Sequence, residues 1–255
     1  MLMDDYIAND WKEVLQENNL QCFDDWWDIK AEWFEPPNQR RGGWSGVSRL
    51  ELSDRVVFLK RQENHVIRTF LHPIKGIPTF SREMENILAL KKAEVPALTP
   101  VYFAQRNING TLRAILVTES LEGFKPLSTV VPGTLPMSAR IALIKQVATV
   151  VRKLHQHKFV HNCLYPKHLF VRGDASGFDV RLIDLEKARL RLFRYSAVFR
   201  DLDTLNRHCE NWSLSDRCRF LKESFSTPGD YSWRQLWRSL VKRNKQRGAR
   251  RRQIK

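Results

Sequence analysis

Three features that would define a class of protein are missing from this sequence: paired cysteines, long apolar runs and a secretory leader. The four cysteines are dispersed at Cys22, Cys163, Cys209 and Cys218, without a C-x-x-C pair. This spacing argues against a zinc site and a disulfide framework. No apolar run approaches the roughly 20 residues of a spanning helix, and the acidic start MLMDDYIANDWKE lacks the basic and apolar regions of a secretory signal. We therefore expect a protein of the reducing cytoplasm.

Acidic residues are outnumbered by basic ones, 28 against 43, above all near the end of the chain. The net charge is +15, and residues 238–255 contain many Lys and Arg but no Asp or Glu. Such a run fits a polyanion partner, which could be nucleic acid, an anionic membrane face or a phosphorylated glycolipid. It is equally explained as a solvated end that keeps the protein soluble. The hydrophobic content of 42%, with 8 Trp and 14 Phe, indicates a folded chain.

The first half of the chain predicts a small antiparallel sheet with one packed helix. An opening amphipathic helix is indicated by apolar residues at helical spacing in DDYIANDWKEVLQENN. Loop residues then predominate in EPPNQRRGGWSGV, which leads into two short strands, SRLEL and RVVFLKRQ. The helix that follows, in FSREMENILALKKAEV, is expected to begin at Ser81 and to end before Pro96. A hairpin is predicted by TPVYFAQRNI and TLRAILVTESL, which flank the turn NING.

The second half has mainly helical patterns. Its longest helix is predicted in MSARIALIKQVATVVRKLHQHKF, and a short strand pair is expected around GDASGFD. Further helices are predicted in FRDLDTLNRHCENW, LSDRCRFLKESF and SWRQLWRSLVKR. The predicted class is therefore α+β, with a helical extension at 1–30, a β-rich lobe at 31–123, an α-rich lobe at 124–237 and a basic tail at 238–255.

Two motifs in the β-rich lobe have the chemistry of a phosphate-binding site. Gly43 and Gly46 in GGWSGV would let backbone N–H groups approach phosphate oxygens, although a plain turn between strands is the commoner explanation. Lys60 lies on an alternating strand, and Glu83 on the packed helix would fix a lysine directed at the phosphates. Taken singly, these are also a surface lysine and a first-turn glutamate favoured by the helix dipole. Their order along the chain favours the functional interpretation.

The α-rich lobe has a carboxylate and a loop of the kind that phosphotransferases use. The apolar strand in LIDLEKAR ends at Asp184, where a carboxylate can hold a divalent cation. An ordinary aspartate of a strand-end turn is the alternative. The preceding loop, VHNCLYPKHLFV, follows the outline of the kinase loop H-R-D-L-x-x-x-N. In it Cys163 stands at the Asp position and His168 at the Asn position.

Together these motifs resemble the lipopolysaccharide core kinase family of the InaA and WaaP type, with the InaA branch the nearer. The resemblance spans roughly residues 40–210 and rests on RRGGWSGVSRL, FLKRQ, FSREMENILAL, RAILVTESLEGF, HNCLYPKHLFV, LIDLEKAR and RDLDTLNRH. It implies the two-lobed protein-kinase-like fold, with a nucleotide-gripping sheet and one helix in the N-lobe and a mainly α-helical C-lobe. It also implies phosphorylation of a heptose or Kdo hydroxyl in the lipopolysaccharide inner core, with ATP and Mg²⁺.

The resemblance also assigns roles to individual residues of the N-lobe. Lys60 would contact the phosphates, with Glu83 as its partner in preference to Glu85. The two glycines of GGWSGV would cover the phosphates. Glu119 and Gly123 would bound the connector whose backbone holds adenine.

In the C-lobe, the same resemblance assigns residues to a metal ion and to catalysis. Asp184 would hold the metal beside His168, and Asp201 would brace the loop. Cys163, His161 and Lys167 stand at the catalytic positions.

Cys163 is the main departure from the family. A thiol is mostly protonated at neutral pH and accepts protons poorly, unlike a carboxylate. Lys167 and His161 are near in sequence and could lower its pKa. Loss of a general base costs about 10²–10⁴ in rate, but phosphoryl transfer depends mainly on positioning and charge neutralisation. A slow kinase and a nucleotide-binding pseudokinase therefore both stay open.

Three functions compete for this sequence. A kinase of the lipopolysaccharide core ranks first, since its acceptor, or another anionic glycolipid, also explains the positive charge. A pseudokinase scaffold ranks second, with the basic tail holding it on the inner membrane surface. A nucleic-acid-binding protein ranks last, because zinc spacing, an RNP-like motif and a recognition helix are not found in the sequence. The expected location is cytoplasmic, either free or peripheral on the inner face of the cytoplasmic membrane.

Overall fold

In the computed structural model the chain divides into two compact units. The first comprises Met1–Ala89 and Leu98–Glu122, and the second comprises Leu90–Ala97 and Gly123–Lys255. The structure describes residues 4–40, 42–68, 76–191, 194–226 and 232–253, without the side chains of 194 and 248–253. Residues 1–3 of the predicted extension, Arg41 of the glycine motif and residues 254–255 of the predicted tail lie outside the described residues.

Strands predominate in the first unit and helices in the second. The strands of the first unit are β1 (Tyr6–Ile7), β2 (Trp33–Arg40), β3 (Gly43–Leu52), β4 (Arg55–Glu63), β5 (Val66–Ile67), β6 (Ile77–Pro78), β7 (Pro100–Ile108) and β8 (Thr111–Glu119). Its helices are α1 (Lys12–Glu17), α2 (Phe23–Asp28) and α3 (Thr79–Lys92), whose last turn belongs to the second unit. The second unit has the strands β9 (Lys125–Pro126), β10 (Phe159–Val160), β11 (Leu169–Asp174), β12 (Gly177–Leu182) and β13 (Arg189–Leu190). Its helices are α4 (Met137–Gln156), α5 (Arg194–His208), α6 (Leu214–Ser224) and α7 (Trp233–Gln253).

The first unit is built on one antiparallel sheet with the strand order β1-β7-β8-β4-β3-β2. The predicted hairpin around NING is present as β7 and β8. Asn109 and Gly110 between them have φ values of 51° and 85°. Two successive left-handed residues form the turn whose twist matches that of a hairpin. The strand that carries Lys60, β4, lies inside the sheet between β3 and β8, so its position is fixed on both sides.

The N-terminal residues form part of the core of this unit. The predicted opening helix is wrong in its first part, because β1 pairs with β7 and the Ala8 N–H donates to the Val101 carbonyl. A 3₁₀ turn and the short α1 follow. Trp11, Leu15 and Trp26 are almost fully buried against residues of β4, β7 and β8. The pairing partner of β1 comes from far along the chain, which is why helical periodicity alone did not predict a strand here.

The segment EPPNQRRGGWSGV, residues 35–47, is predicted as loop, but residues 35–40 belong to the edge strand β2 and residues 43–47 to β3. Pro36 and Pro37 cannot donate backbone hydrogen bonds, and the pairing with β3 shifts register between Glu35 and Asn38. Prolines are tolerated on an edge strand, where one side of the backbone has no ladder partner. The loop prediction for residues 35–40 is therefore wrong, because an edge strand accommodates the same prolines as a loop.

The described part of the second unit has a helical core with one three-stranded sheet, β12-β11-β9, and one two-stranded sheet, β10-β13. The predicted long helix is present as α4, and its apolar face is buried at Ile144, Val147, Val151 and Leu154 and half-buried at Ile141. This face packs against β12 and α6. The strand pair predicted around GDASGFD is present as β11 and β12.

The start of α6 is tied to α4 by a charged pair. Arg140 donates two hydrogen bonds to Asp216, of 2.8 and 2.6 Å, and Ser213 caps the helix by accepting from the Asp216 N–H. Burial alone would raise the pKa of Asp216, but the hydrogen bonds from Arg140 and Ser213 outweigh it and hold the pKa below its ordinary value. The carboxylate is therefore a stabilising part of this junction.

The last described helix, α7, includes residues 238–253 of the predicted tail. Its apolar residues Leu236 and Leu240 are buried, and it packs against α5 and α6. No helix in the described part of the chain is both long enough and apolar enough to span a bilayer.

Candidate functional site

In the first unit, Lys60 and Glu83 form an ion pair whose position follows from a single polar residue of β4. The side-chain oxygen of Gln62 accepts hydrogen bonds from the Thr79 hydroxyl and the Phe80 N–H, each 2.8 Å long. These contacts fix the first turn of α3 on the sheet. Lys60 lies two residues earlier on the same face of β4, and Glu83 lies one helical turn after Thr79. The two side chains therefore meet, with Nζ 2.6 Å from Oε1.

This ion pair is largely hidden from solvent. The side chain of Glu83 is 4% exposed and that of Lys60 is 16% exposed. The Lys60 ammonium lies 6.0 Å from the centre of the Phe80 ring. Glu85, the other candidate partner, is exposed. A charge pair in this environment holds the long lysine side chain in one direction, which an exposed pair does not.

The two glycines of GGWSGV lie at places where a side chain would collide with the protein itself. A Cβ on Gly43 would come 2.0 Å from the Glu63 carbonyl oxygen, and one on Gly46 would come 2.6 Å from the Trp33 ring. Both residues belong to β3: Gly43 lies beside the end of β4, and Gly46 lies under Trp33 of β2. Close packing therefore explains these glycines, and their predicted contact with phosphate stays a prediction.

The predicted connector residues have contacts of their own. The carboxylate of Glu119 accepts 2.8 Å hydrogen bonds from Trp11 Nε1 and from Arg55. Its backbone N–H donates to Thr99, so that this donor is already used within the first unit. Gly123, in the second unit, has a left-handed φ of 74°, and a Cβ added there would lie 3.2 Å from the Arg172 side chain. The role of these residues toward adenine stays a prediction.

In the second unit, the loop from His161 to His168 is held by Asp201 of α5. The Asp201 carboxylate accepts from the backbone N–H groups of His161 and Asn162, at 2.7 and 2.8 Å. It is 1% exposed and also lies 3.2 Å from His155 Nε2. The His161 ring is fully buried, and its Nε2 donates to the Ile183 carbonyl, just before Asp184. Burial lowers the pKa of His161, so that the ring serves here as a neutral link between loop and strand end.

His168 and Asp184 lie next to each other in the second unit. Asp184 follows β12 with a left-handed φ of 57°, and its Oδ2 lies 3.3 Å from His168 Nε2. His168 Nδ1 lies 2.8 Å from the Cys163 carbonyl, which can only accept, so that Nδ1 carries the ring proton. Burial lowers the pKa of His168. His168 Nε2 and the Asp184 carboxylate thus lie side by side as a nitrogen and an oxygen that could both contact one cation.

This pair is a partial set of metal ligands. Within the described ranges, His, Cys, Asp and Glu side chains do not form a group of three that could hold a metal ion by themselves. A Mg²⁺ ion in phosphotransferases is usually held by one or two carboxylates together with substrate phosphates and water. The residues present therefore fit a cation that arrives with a nucleotide, and do not fit a closed structural metal site.

The thiol of Cys163 has a lysine neighbour that the sequence did not single out. Burial raises the pKa of Cys163, and the nearby Lys187 only partly counters that rise. Lys167 points to solvent and is exposed. Lys187 comes close because Asn162 Nδ2 donates to the Lys187 carbonyl at 2.7 Å. The only signal in the sequence was the basic residue three positions after Asp184, in DLEKAR.

A lysine on a sheet strand held by a helix glutamate, together with a braced loop beside a strand-end aspartate, defines the protein-kinase-like class. A solved structure of WaaP in complex with acyl carrier protein has this fold and matches 97% of this chain and 99% of that chain, with a TM-score of 0.71 and 21% identity. The model of the lipopolysaccharide kinase (Kdo/WaaP) family matches residues 24–223. This chain belongs to that family.

Two relatives give the degree of similarity within the family. The protein InaA of Escherichia coli K12 is 33% identical over 192 residues, which are 74% of this chain and 88% of InaA. The lipopolysaccharide core heptose(I) kinase WaaP of Escherichia coli is 27% identical over 197 residues, 71% of this chain and 74% of WaaP. The fold class and the family predicted from the sequence are thereby confirmed.

Proposed function

We propose that this protein transfers a phosphoryl group from ATP to a heptose or Kdo hydroxyl of the lipopolysaccharide inner core. The observation that carries the proposal is the Lys60–Glu83 ion pair, which is 2.6 Å long and largely buried. A lysine fixed in this way can neutralise phosphate charge without being reordered for each turnover. The relative that is a lipopolysaccharide core heptose(I) kinase supports the choice of acceptor.

Asp184 and His168 are the residues that would hold a divalent cation with the nucleotide. When bound, such a cation supplies neutralisation of charge on the phosphate oxygens. The protein's own part is to keep the His168 ring turned with Nε2 toward Asp184. The hydrogen bond from His168 Nδ1 to the Cys163 carbonyl holds the ring in this orientation. Asp201 and the buried His161 position the loop and do not contact substrate in this proposal.

An anionic acceptor fits the surface near this loop. Lys167, Lys187, Arg189 and Arg191 are all exposed, and β13 pairs with β10 directly before the loop begins. Basic residues around a site raise the local concentration of an acidic substrate and speed its arrival. We propose a cytoplasmic location, where ATP is available, with the acceptor presented as an anionic glycolipid.

A pseudokinase is the second candidate, and Cys163 favours it. The pKa of this thiol is raised by burial, so that the group is protonated at neutral pH and cannot take the proton of an acceptor hydroxyl. Such a protein would bind nucleotide and act by changing a partner. Binding without turnover on purified core oligosaccharide would decide for this second function.

Calorimetry with ATP and Mg²⁺, followed by transfer of labelled phosphate to purified core oligosaccharide, tests both candidates. Lys60→Ala and Asp184→Ala are expected to abolish Mg²⁺-dependent binding, whereas Lys91→Ala, which removes an exposed lysine, should leave it intact. Folded protein without any nucleotide binding would contradict both functions. Binding that survives in Lys60→Ala would remove the observation on which the proposal rests.

A further inference from the structure

One side of α7 is committed to the interior of the second unit. Leu236 and Leu240 are 0% and 1% exposed. Arg243 and Arg247 continue the same stripe, since steps of three and four residues return to one side of a helix. This side of α7 therefore has buried leucines near the start of the helix and two arginines further along.

The two arginines of this side contact one carboxylate, that of Asp203 in α5. Its side chain is 3% exposed and accepts two parallel hydrogen bonds from Arg247, of 2.9 and 2.8 Å. Arg243 Nε lies 3.5 Å from the same carboxylate, and the Arg243 guanidinium covers the Phe199 ring at 5.3 Å. A bidentate pair to a buried carboxylate fixes direction as well as distance. These contacts fix the rotation of α7 about its own axis, so that the same side always faces α5.

The opposite side of α7 has a different composition, and we call it the basic face: Arg234, Trp237, Arg238, Val241, Lys242 and Lys245. Its four basic residues are exposed, and Trp237 and Val241 are half-buried between them. Among the described residues, no Asp or Glu lies within 4.0 Å of the charged groups of Arg238, Lys242 and Lys245. The cations of this side are therefore available to an external partner.

We propose that the basic face of α7 docks on an anionic lipid membrane. Lys and Arg near such a surface are attracted by its negative potential, while Trp and an aliphatic side chain gain by entering the headgroup boundary. A nucleic acid would bind the cations through its phosphates but would provide no apolar contact for Val241, which lies among them. Because Asp203 fixes the rotation of α7, all six side chains of the basic face lie on the opposite side of the helix. This docking does not depend on kinase activity.

Sedimentation of the full chain with vesicles tests the proposal. Vesicles of phosphatidylcholine with phosphatidylglycerol should bind the protein, and vesicles of phosphatidylcholine alone should not. The triple variant Arg238→Gln, Lys242→Gln, Lys245→Gln should bind roughly a hundredfold more weakly, about fivefold for each cation. The control variant Lys12→Gln, Lys91→Gln, Lys92→Gln loses the same charge from exposed positions and should bind like the unaltered protein.

The apolar residues distinguish a membrane from other polyanions. Trp237→Ser should weaken vesicle binding several-fold, and Val241→Ser provides the same test if the first variant melts early. Equal losses in the two triple variants, or full vesicle binding in the Arg238, Lys242, Lys245 variant, would overturn the proposal. So would single-stranded RNA that displaces the protein from vesicles while Val241→Ser and Trp237→Ser bind them unchanged, which would indicate a nucleic-acid surface instead.

Discussion

At the scale of single residues, the buried Lys60–Glu83 ion pair and the thiol of Cys163 bear most directly on the proposed function. The order of Lys60 on a strand and Glu83 on the following helix, together with the family resemblance, predicted their pairing, and the ion pair is present. The neighbour of Cys163 was not foreseeable, because Lys187 reaches it only through a left-handed residue at Asp184 and a bond from Asn162. Local backbone conformation of this kind leaves little trace in residue types.

Glu83→Gln tests whether the ion pair is functional. The substitution removes the charge that fixes Lys60 in a buried place, so that kcat/KM for ATP should fall about 10–100-fold, the effect of losing one charged hydrogen bond. Glu85→Gln is the matched control, two residues along the same helix but exposed, and should be silent. Steady-state kinetics with varied ATP measures both. Similar losses in the two variants would assign the effect to α3 as a whole.

Cys163→Asp tests whether the thiol limits the rate. A carboxylate there would accept the proton of an acceptor hydroxyl, which a thiol does poorly, so that kcat should rise about tenfold or more. Cys163→Ser, which has the size of cysteine without a carboxylate, should stay near the unaltered rate. Single-turnover measurements at saturating ATP separate the chemical step from binding. A fall in both variants would instead make the thiol a functional group.

At the scale of elements, patterns with a local cause were predicted and those with a distant cause were not. The hairpin of β7 and β8 follows from its own turn residues, Asn109 and Gly110. Residues 35–40 of β2 are predicted as loop because prolines are typical of loops. The position of β2 at the edge of the sheet, which the sequence does not show, is what allows prolines in this strand. The strand β1 depends on β7, which lies far along the chain.

The junction of α4 and α6 should make stability depend on acidity. The folded pKa of Asp216 is below its ordinary value of 3.8, so that its contribution is complete above that value and is lost as the pH falls through the folded pKa. Asp216→Asn should therefore lower the melting temperature by about 2–4 °C at pH 7. The difference from the unaltered protein should shrink as the pH falls below about 4.

Thermal melts from pH 7 to acid check this dependence. Asp179→Asn is the control, because its carboxylate meets Arg181 at a half-exposed site where an ion pair contributes little. A difference between Asp216→Asn and the unaltered protein that persists in acid would show that the cap and the packing are responsible, and not the charge.

At the scale of the whole molecule, the segment that matches the family is shorter than the segment that folds. The family model covers residues 24–223, but Trp11 and Leu15 belong to the core of the first unit, and Leu236 and Leu240 to that of the second. The sequence indicated a folded chain of two parts and a basic end. It could not indicate that the segments around Trp11 and Leu240 are buried in the cores of the two units. An amphipathic pattern shows that a segment has an apolar face, but not which surface that face packs against.

A chain that begins at residue 24 is therefore expected to lose stability in the first unit. Removal of Trp11 and Leu15 leaves apolar surface exposed and takes a hydrogen bond from Glu119. Each large side chain lost from a core costs about 2–5 kcal/mol, so that urea unfolding of the shortened chain should occur at markedly lower concentration. Removing only residues 1–5 is the control. Equal midpoints for the full and the shortened chain would contradict this account.

The carboxylate of Asp203 has a consequence for how relatives of this protein can diverge. Keeping only one partner of this ion pair, the acid or the arginines, costs more folding free energy than keeping both partners or replacing both with apolar residues. Substitutions at Asp203 and Arg247 should therefore be inherited together, so that aligned relatives keep both or replace both with an apolar pair. Relatives that lack an acid at the position of Asp203 should also have fewer basic residues at the positions of the basic face of α7.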